Sequence, residues 1–205
     1  MAVTSSVKII GLTGGIASGK STASRYLGTK GAHLIDADVL GHRAYDPGTD
    51  AFAAVVAHFG DDVVGDDGRI DRRALGGKVF GQPAELKALT DIVWPEIRRL
   101  AQVQIDEAAA ASADAIIVLE AAVLFEAGWE DGMDETWVVT VEPDVAVARA
   151  MARDNTDEES VRKRIAAQLS NAERVERSDV AIDNSTDEPA LCAQLDREWA
   201  RINAD

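Results

Sequence analysis

Short continuous apolar runs alternate along this chain with longer stretches in which apolar residues recur at helical spacing. The runs at 7–12, 115–119 and 137–141 show no polar alternation, the pattern of strands buried on both faces of a parallel sheet. Shorter runs at 32–35 and 180–182 predict two more strands. Helical patterns fall at 21–29, 38–44, 50–59, 72–80, 84–113, 144–154, 157–169 and 188–202. Strands alternating with helices predict an α/β fold, a doubly wound parallel sheet of five strands with ligands at the carboxyl ends of the strands. The interval 38–113 is too long for one crossover and is mostly helical, with a turn-like segment at 60–68, so a helical insertion holding a second substrate is expected there. Pro95 lies inside the long helical pattern and should kink or split it, because it removes a backbone donor. The resulting expectation is one domain, with its core at 1–37 and 114–205, an insertion at about 38–113 and a charge-dense lid at about 149–170.

The first apolar run leads into Gly11-Leu12-Thr13-Gly14-Gly15-Ile16-Ala17-Ser18-Gly19-Lys20-Ser21-Thr22 and then into a helical pattern. Gly14, Gly19, Lys20 and Ser21 fill the phosphate-loop pattern in the strand-to-helix context that the motif demands. In such a loop the backbone N–H groups of Gly14, Gly15, Ile16, Ala17, Ser18, Gly19, Lys20, Ser21 and Thr22 wrap phosphates, the lysine reaches the outer ones, and the Ser21 hydroxyl holds Mg²⁺. The following helix adds its positive amino end. The competing reading is a glycine-rich turn without a ligand, and Lys20 argues against it, since a turn needs no buried cation.

Composition narrows the partners. The 205 residues suffice for one α/β domain with a sizeable core. A net charge of −15 repels nucleic acid and anionic membranes over most of the surface, so neither is an expected partner. Nucleotides are anions too, and the sparse basic residues are expected where phosphate binds, at Lys20 and along 149–164. No apolar stretch is long enough to span a bilayer, and residues 1–6 lack a signal-peptide pattern. Cys192 is the lone cysteine, which excludes an internal disulfide and a cysteine metal site. The cytosol is the expected compartment, and the chain is expected as a monomer or small homo-oligomer.

Other residues carry chemistry by position. Asp36-Ala37-Asp38 directly follows the second apolar run, where a carboxylate can take the proton of an alcohol acceptor; the alternative for either acid is capping of the next helix. Glu120 ends the run at 116–119 and is either a water-mediated Mg²⁺ ligand or a solvated strand end. Arg149 and Arg153 share a helix face, and with Arg162 and Arg164 they either close over phosphates or pair with nearby acids. His33, His42 and His58 have no metal-site spacing. His42 lies one turn after Asp38 and either lines the substrate pocket or is an ordinary helix residue. Trp94, Trp129, Trp137 and Trp199 read as core.

Taken together, the phosphate loop, Asp36-Ala37-Asp38, Arg72-Arg73-Ala74-Leu75, Val123-Leu124-Phe125-Glu126, the stretch 149–154 and Ile182-Asp183-Asn184 resemble the dephospho-CoA kinases over nearly the whole chain. Gly41-His42-Arg43-Ala44-Tyr45, Asp91-Ile92-Val93-Trp94-Pro95 and Glu126-Ala127-Gly128-Trp129 are similar to the kinase half of the animal bifunctional CoA synthase. The resemblance implies transfer of the γ-phosphoryl of ATP to the ribose 3′-hydroxyl of dephospho-CoA, with Mg²⁺. It implies Asp38 as the base, Lys20 as the phosphate-binding lysine and Arg149 as the lid arginine, with Arg153 beside it on the nucleotide side. By the same resemblance Arg72, Thr13 and His42 fall on the substrate side and Asn184 in the loop facing adenine. Arg72 also fits a salt bridge within the insertion. Three departures stand out. Ala17 replaces a glycine, which is tolerable only if the backbone there needs no positive φ. Trp94 replaces the usual histidine before Pro95, and Ala122 replaces a proline. The other readings are a kinase for another small alcohol or nucleoside, and a GTP-dependent switch, against which stands the absence of an Asn-Lys-x-Asp sequence. A purely structural role leaves Lys20 unexplained.

Overall fold

The computed structural model describes residues 7–204. Its strands are β1 Lys8–Gly14, β2 His33–Asp36, β3 Ile116–Glu120, β4 Glu135–Thr140 and β5 Val180–Asp183. They form one five-stranded sheet in the order β2-β3-β1-β4-β5, so the expected α/β doubly wound architecture is present. The β1–β3, β1–β4 and β4–β5 pairings are parallel, with Leu12 opposite both Glu120 and Trp137. β1 is therefore central, and its carboxyl end opens at the reversal of strand order, where such sheets bind ligands. The segment 1–6, read as lacking a signal-peptide pattern, lies outside the described residues.

The described residues divide into two compact units, residues 7–35 with 107–204, and residues 36–106. In the first, alternate residues of the strands build the core. Ile10, Leu12, Ile116, Val118, Trp137, Val139 and Ile182 pack with Ala23 and Leu27 of helix α1 (Lys20–Thr29). Leu191, Leu195 and Ile202, from the carboxyl-terminal helix Glu188–Ile202, close the same cluster. Each large side chain buried here contributes about 1.5–3 kcal/mol. The other face of β1 is just as tight: a Cβ on Gly11 would stand 2.9 Å from both Leu124 Cδ2 and Met133 Cγ.

The second unit holds α2 (Ala37–Arg43), α3 (Asp50–Phe59), α4 (Arg72–Val79) and most of α5 (Pro83–Ala111). Thr49 caps α3 through Phe52 N–H, and Asp71 caps α4 through Arg73 and Ala74 N–H. The expected turn segment holds a 3₁₀ turn, Asp61–Val63, and an antiparallel bridge between Val64 and Ile70. Lys78 fastens it by donating to the Phe59 carbonyl and pairing with Asp62 at 2.7 Å. Pro95 does not split its helix, and α5 runs unbroken. Val93, Ile97, Ala101 and Ile105 bury one face at helical spacing and hold the segment, while Pro95 and Asp91 lie on the exposed face.

After β4 come α6 (Pro143–Asp154), α7 (Glu158–Ala166), α8 (Asn171–Glu176) and α9 (Glu188–Ile202). Val147, Ala150 and Val161 form a small separate core, against which Ile16, Ala17, Met151 and Ile165 pack, so the phosphate loop rests on α6 and α7. The single helix expected at 157–169 ends early, and α8 follows it. Ser170 and Glu173 form a reciprocal capping box that starts a new helix at that point.

Candidate active site

β1 ends at Gly14 and α1 begins at Lys20, so the loop between them lies at the carboxyl edge of the sheet's central strand. A Cβ on Gly14 would sit 2.5 Å from Ser18 Oγ and 2.6 Å from the Val139 carbonyl, which leaves no room for a side chain. Gly19 has φ 94°, and a Cβ there would meet Asn184 Nδ2 at 2.1 Å. That contact has a purpose: Asn184 Nδ2 donates to the Ser18 carbonyl at 2.7 Å, tying the start of the β5–α9 loop to the phosphate loop. Ala17 has φ 55°, so the condition on which its replacement of glycine was tolerable does not hold. Packing of Ala17 on the α6–α7 cluster keeps the residue in this left-handed conformation, at a strain of about 1–2 kcal/mol for an alanine. Ala17→Gly is expected to raise unfolding stability by about 1 kcal/mol in a urea titration, the strain relieved outweighing the extra chain entropy.

Lys20 Nζ pairs with Glu120 Oε1 at 2.8 Å, and Ser21 Oγ donates to the same oxygen at 2.6 Å. Leu12 and Glu120 are cross-strand partners, which is why the last residue of β3 arrives beside the first turn of α1. Glu120 is 6% exposed. Burial pushes its carboxyl pKa up, but the hydrogen bonds from Lys20 and Ser21 and the Lys20 charge outweigh that and hold it below the usual value. Glu120 is thus not a solvated strand end; one of its oxygens carries the lysine and the serine. Ser21 spends its proton on Glu120, which keeps its oxygen lone pairs as donors. Among the described residues no cluster of three metal-ligating side chains exists. A hydroxyl beside one carboxylate suits Mg²⁺, which takes few protein ligands and completes its shell with phosphates and water.

Two buried hydroxyls here, Thr13 Oγ1 near the end of β1 and Ser18 Oγ in the loop, have no hydrogen-bond partner. Arg149 is half-buried and donates from Nη1 to the Asn184 carbonyl at 2.8 Å and from Nη2 to the Thr186 carbonyl at 3.3 Å. It thereby joins α6 to the loop that braces Gly19. The other arginines of the stretch form ion pairs. Arg153 and Arg164 both engage Asp154, and Arg162 engages Asp144 and Glu158. In this structure these three follow the acid-pairing reading.

In the second unit, Asp36 is the cap of α2, accepting from Asp38 N–H at 2.9 Å and Val39 N–H at 3.0 Å. That answers the capping alternative, which falls to Asp36. Asp38 is exposed in the first turn of α2, with His42 one turn later. Arg72 is exposed at the start of α4, and the ion pairs Arg69–Asp46 and Lys78–Asp62 of this region are made by other residues. Trp129 and Trp137 are buried and Trp199 packs against the core, as expected.

The family model for dephospho-CoA kinase matches residues 8–189. The dephospho-CoA kinase of Geobacter sulfurreducens is 43% identical over 195 residues, covering 95% of this chain and 98% of that protein. The chain belongs to the dephospho-CoA kinase family. Among solved structures, a Thermus thermophilus protein, TT1252, superposes with a TM-score of 0.78 at 34% identity, covering 96% of each chain. The dephospho-CoA kinase of Campylobacter jejuni superposes with a TM-score of 0.63 at 21% identity, covering 96% of this chain and 97% of that one, a likeness of fold.

Two side chains beside the loop of this dephospho-CoA kinase family member went unnoticed in the sequence. Gln168 Oε1 accepts the Ile16 N–H at 3.0 Å. Arg174 on α8 is 1% exposed, donating from Nη1 to the Leu169 carbonyl and from Nη2 to Glu126 at 3.3 Å. Burial lowers its guanidinium pKa from the ordinary value, against the charges of Glu126 and Glu173. The motif 123–126 now has a physical role, since Glu126 faces Arg174 and the Phe125 ring lies under the Arg177 guanidinium at 4.6 Å. Ala122 opens a turn closed by Ala127 N–H on the Val123 carbonyl at 2.9 Å. Trp94 is half-buried on α5.

Proposed function

We propose that the chain transfers the γ-phosphoryl group of ATP to the ribose 3′-hydroxyl of dephospho-CoA, giving CoA and ADP. The observation that carries this reading is an intact phosphate loop inside a family match spanning residues 8–189. The loop amides of Gly14 to Thr22 and the amino end of α1 receive the phosphates, and Lys20 neutralises the outer ones. Thr13 is assigned to the acceptor side, and its unpartnered hydroxyl supports a polar visitor at the end of β1. Asp38 takes the hydroxyl proton as the acceptor oxygen attacks, and Asp36 supports that role by doing the capping. Insertion residues His42 and Arg72 are assigned to the acceptor, Arg149 to the lid, and Arg153 and Asn184 to the nucleotide. The insertion is taken as about 38–113 and the lid as about 149–170.

Ser21 is the ligand we assign to Mg²⁺, with Glu120 behind it holding the hydroxyl proton. When bound, Mg²⁺ supplies charge neutralisation on the phosphoryl oxygens. No helix among the described residues is long and apolar enough to cross a membrane. We infer a cytosolic enzyme, monomeric or a small homo-oligomer, with a small-molecule substrate.

An ADP-release assay against a panel of alcohols tests the reading. Turnover with dephospho-CoA well above that with adenosine, a nucleoside monophosphate or shikimate is the expected result. Activity with one of the others and none with dephospho-CoA would overturn it.

A further inference from the structure

Beside the phosphate loop lies a cavity of about 530 Å³ whose walls include Gly15, Ile16, Gln168 and Arg174. Three observations make it an anion site rather than a packing defect. The guanidinium of Arg174 is fully enclosed, yet its Nε has no acceptor. A buried guanidinium that is incompletely paired is costly, and an anion entering the cavity would lower that cost by adding negative charge beside it. Nη1 stands 3.5 Å from where a Cβ on Gly15 would be, and Gln168 Oε1 stands 3.7 Å from the same point, so a side chain longer than alanine at residue 15 would fill the gap between loop and guanidinium. Lastly, the Ile16 N–H, a donor that phosphate loops offer to anions, is held by the Gln168 amide oxygen. A neutral oxygen thus occupies a place suited to a phosphoryl oxygen.

We propose that Arg174 is a phosphate-contacting residue of the transfer, its enclosed guanidinium offering Nη1 to the outermost phosphoryl group of ATP beside Gly15 and Ile16. The inference rests on the kinase reading above. The amino end of α1 accounts for the inner phosphates and Lys20 meets the outer ones from one side, which leaves the Gly15–Ile16 side of the outermost phosphoryl group for a second cation. In the transfer, the bond from the γ-phosphorus to the β,γ-bridging oxygen breaks and its electron pair leaves with ADP. The acceptor oxygen bonds to phosphorus and its proton passes to Asp38. Arg174 neither gains nor loses a proton; it meets negative charge spread over the phosphoryl oxygens. The carbonyl of Leu169 and the carboxylate of Glu126 hold it in place beforehand, so its orientation requires no rearrangement at the moment of transfer.

Arg174→Gln and Arg174→Lys in the full chain test the proposal, with kcat measured alongside calorimetric affinities for ADP and for β,γ-imido-ATP. For Arg174→Gln we expect kcat to fall by about a hundredfold to a thousandfold. Affinity for the triphosphate analogue should fall by at least about tenfold with ADP affinity unchanged, and the Lys variant should lie between wild type and Gln. An unchanged kcat overturns the proposal. Equal losses of ADP and analogue affinity overturn it too, since they mark a residue that merely shapes the loop. If Arg174→Gln does not fold, the Lys variant is decided by the same comparison of the two nucleotides. Selective loss of analogue affinity in a chain that ignores dephospho-CoA would support the phosphate contact while defeating the assigned acceptor; wild-type turnover of dephospho-CoA by the variants would do the reverse.

Discussion

Replacing Asp38 with Asn is expected to lower kcat for dephospho-CoA phosphorylation by at least about a hundredfold while leaving ATP affinity unchanged, as measured by steady-state kinetics and calorimetry. A positioned general base contributes about 10²–10⁴ in rate, and the amide keeps the size of the side chain while losing the ability to take a proton. The alternative employment for an acid at this junction is helix capping, and Asp36 already fills it through the N–H groups of Asp38 and Val39. The two residues should therefore separate cleanly. Asp36→Ala is expected to cost about 1 kcal/mol of stability, the usual loss for an amino-terminal cap. Asp38→Asn should leave the Asp36 cap in place, so its effect is read in kcat. Normal turnover in Asp38→Asn would remove it from the chemistry and return the base to be found elsewhere.

What could be read in advance follows from the range of the interaction involved. The run at 7–12, the glycine spacing and the helix at 21–29 are local, and local pattern was enough to place a phosphate loop at the end of a central strand. Individual functions at 36, 38 and 120 could be guessed from their position after apolar runs, but the pairing of Lys20 with Glu120 depends on the β1–β3 register, which no local pattern encodes. Asn184 reaches the loop from 166 positions away, and nothing near it in sequence announces that bond. Arg174 was hidden for a related reason. In a segment rich in Arg and Glu, it reads as one more solvated charge, and only the seating of α8 against the 123–126 turn encloses it. One signal was available. Ser170 and Glu173 form a capping box that starts α8 and fixes Arg174 within its first turns. Ala17 shows the converse, a substitution whose strain is invisible until the backbone dihedral is seen.

Lys20→Met is expected to produce the second large effect, a loss of about a thousandfold in kcat/KM together with weaker ATP binding, because the ammonium contacts phosphate in ground state and transition state alike. The structure adds a stability effect with a distinct signature. Glu120 has its folded pKa held below the unfolded value of about 4.3, so the pair's contribution is fully present above that value and is lost as pH falls through the folded pKa. Without the ammonium the carboxyl pKa moves upward, since burial is then opposed only by the hydrogen bonds from Ser21 and Ser24. The stability that the pair adds above the unfolded pKa is therefore reduced in the variant, and its dependence on pH between acid and neutral is expected to differ from that of the wild type. At neutral pH the orphaned carboxylate should cost about 3 kcal/mol, the lower range for breaking a buried pair. Lys20→Met combined with Glu120→Gln should recover much of that stability, since no buried charge remains, yet none of the activity. Urea titrations at acid and neutral pH, run with the kinetic assay, separate the two roles. Activity restored in the double variant would mean that Lys20 serves only to neutralise Glu120 and that the loop binds phosphate without it.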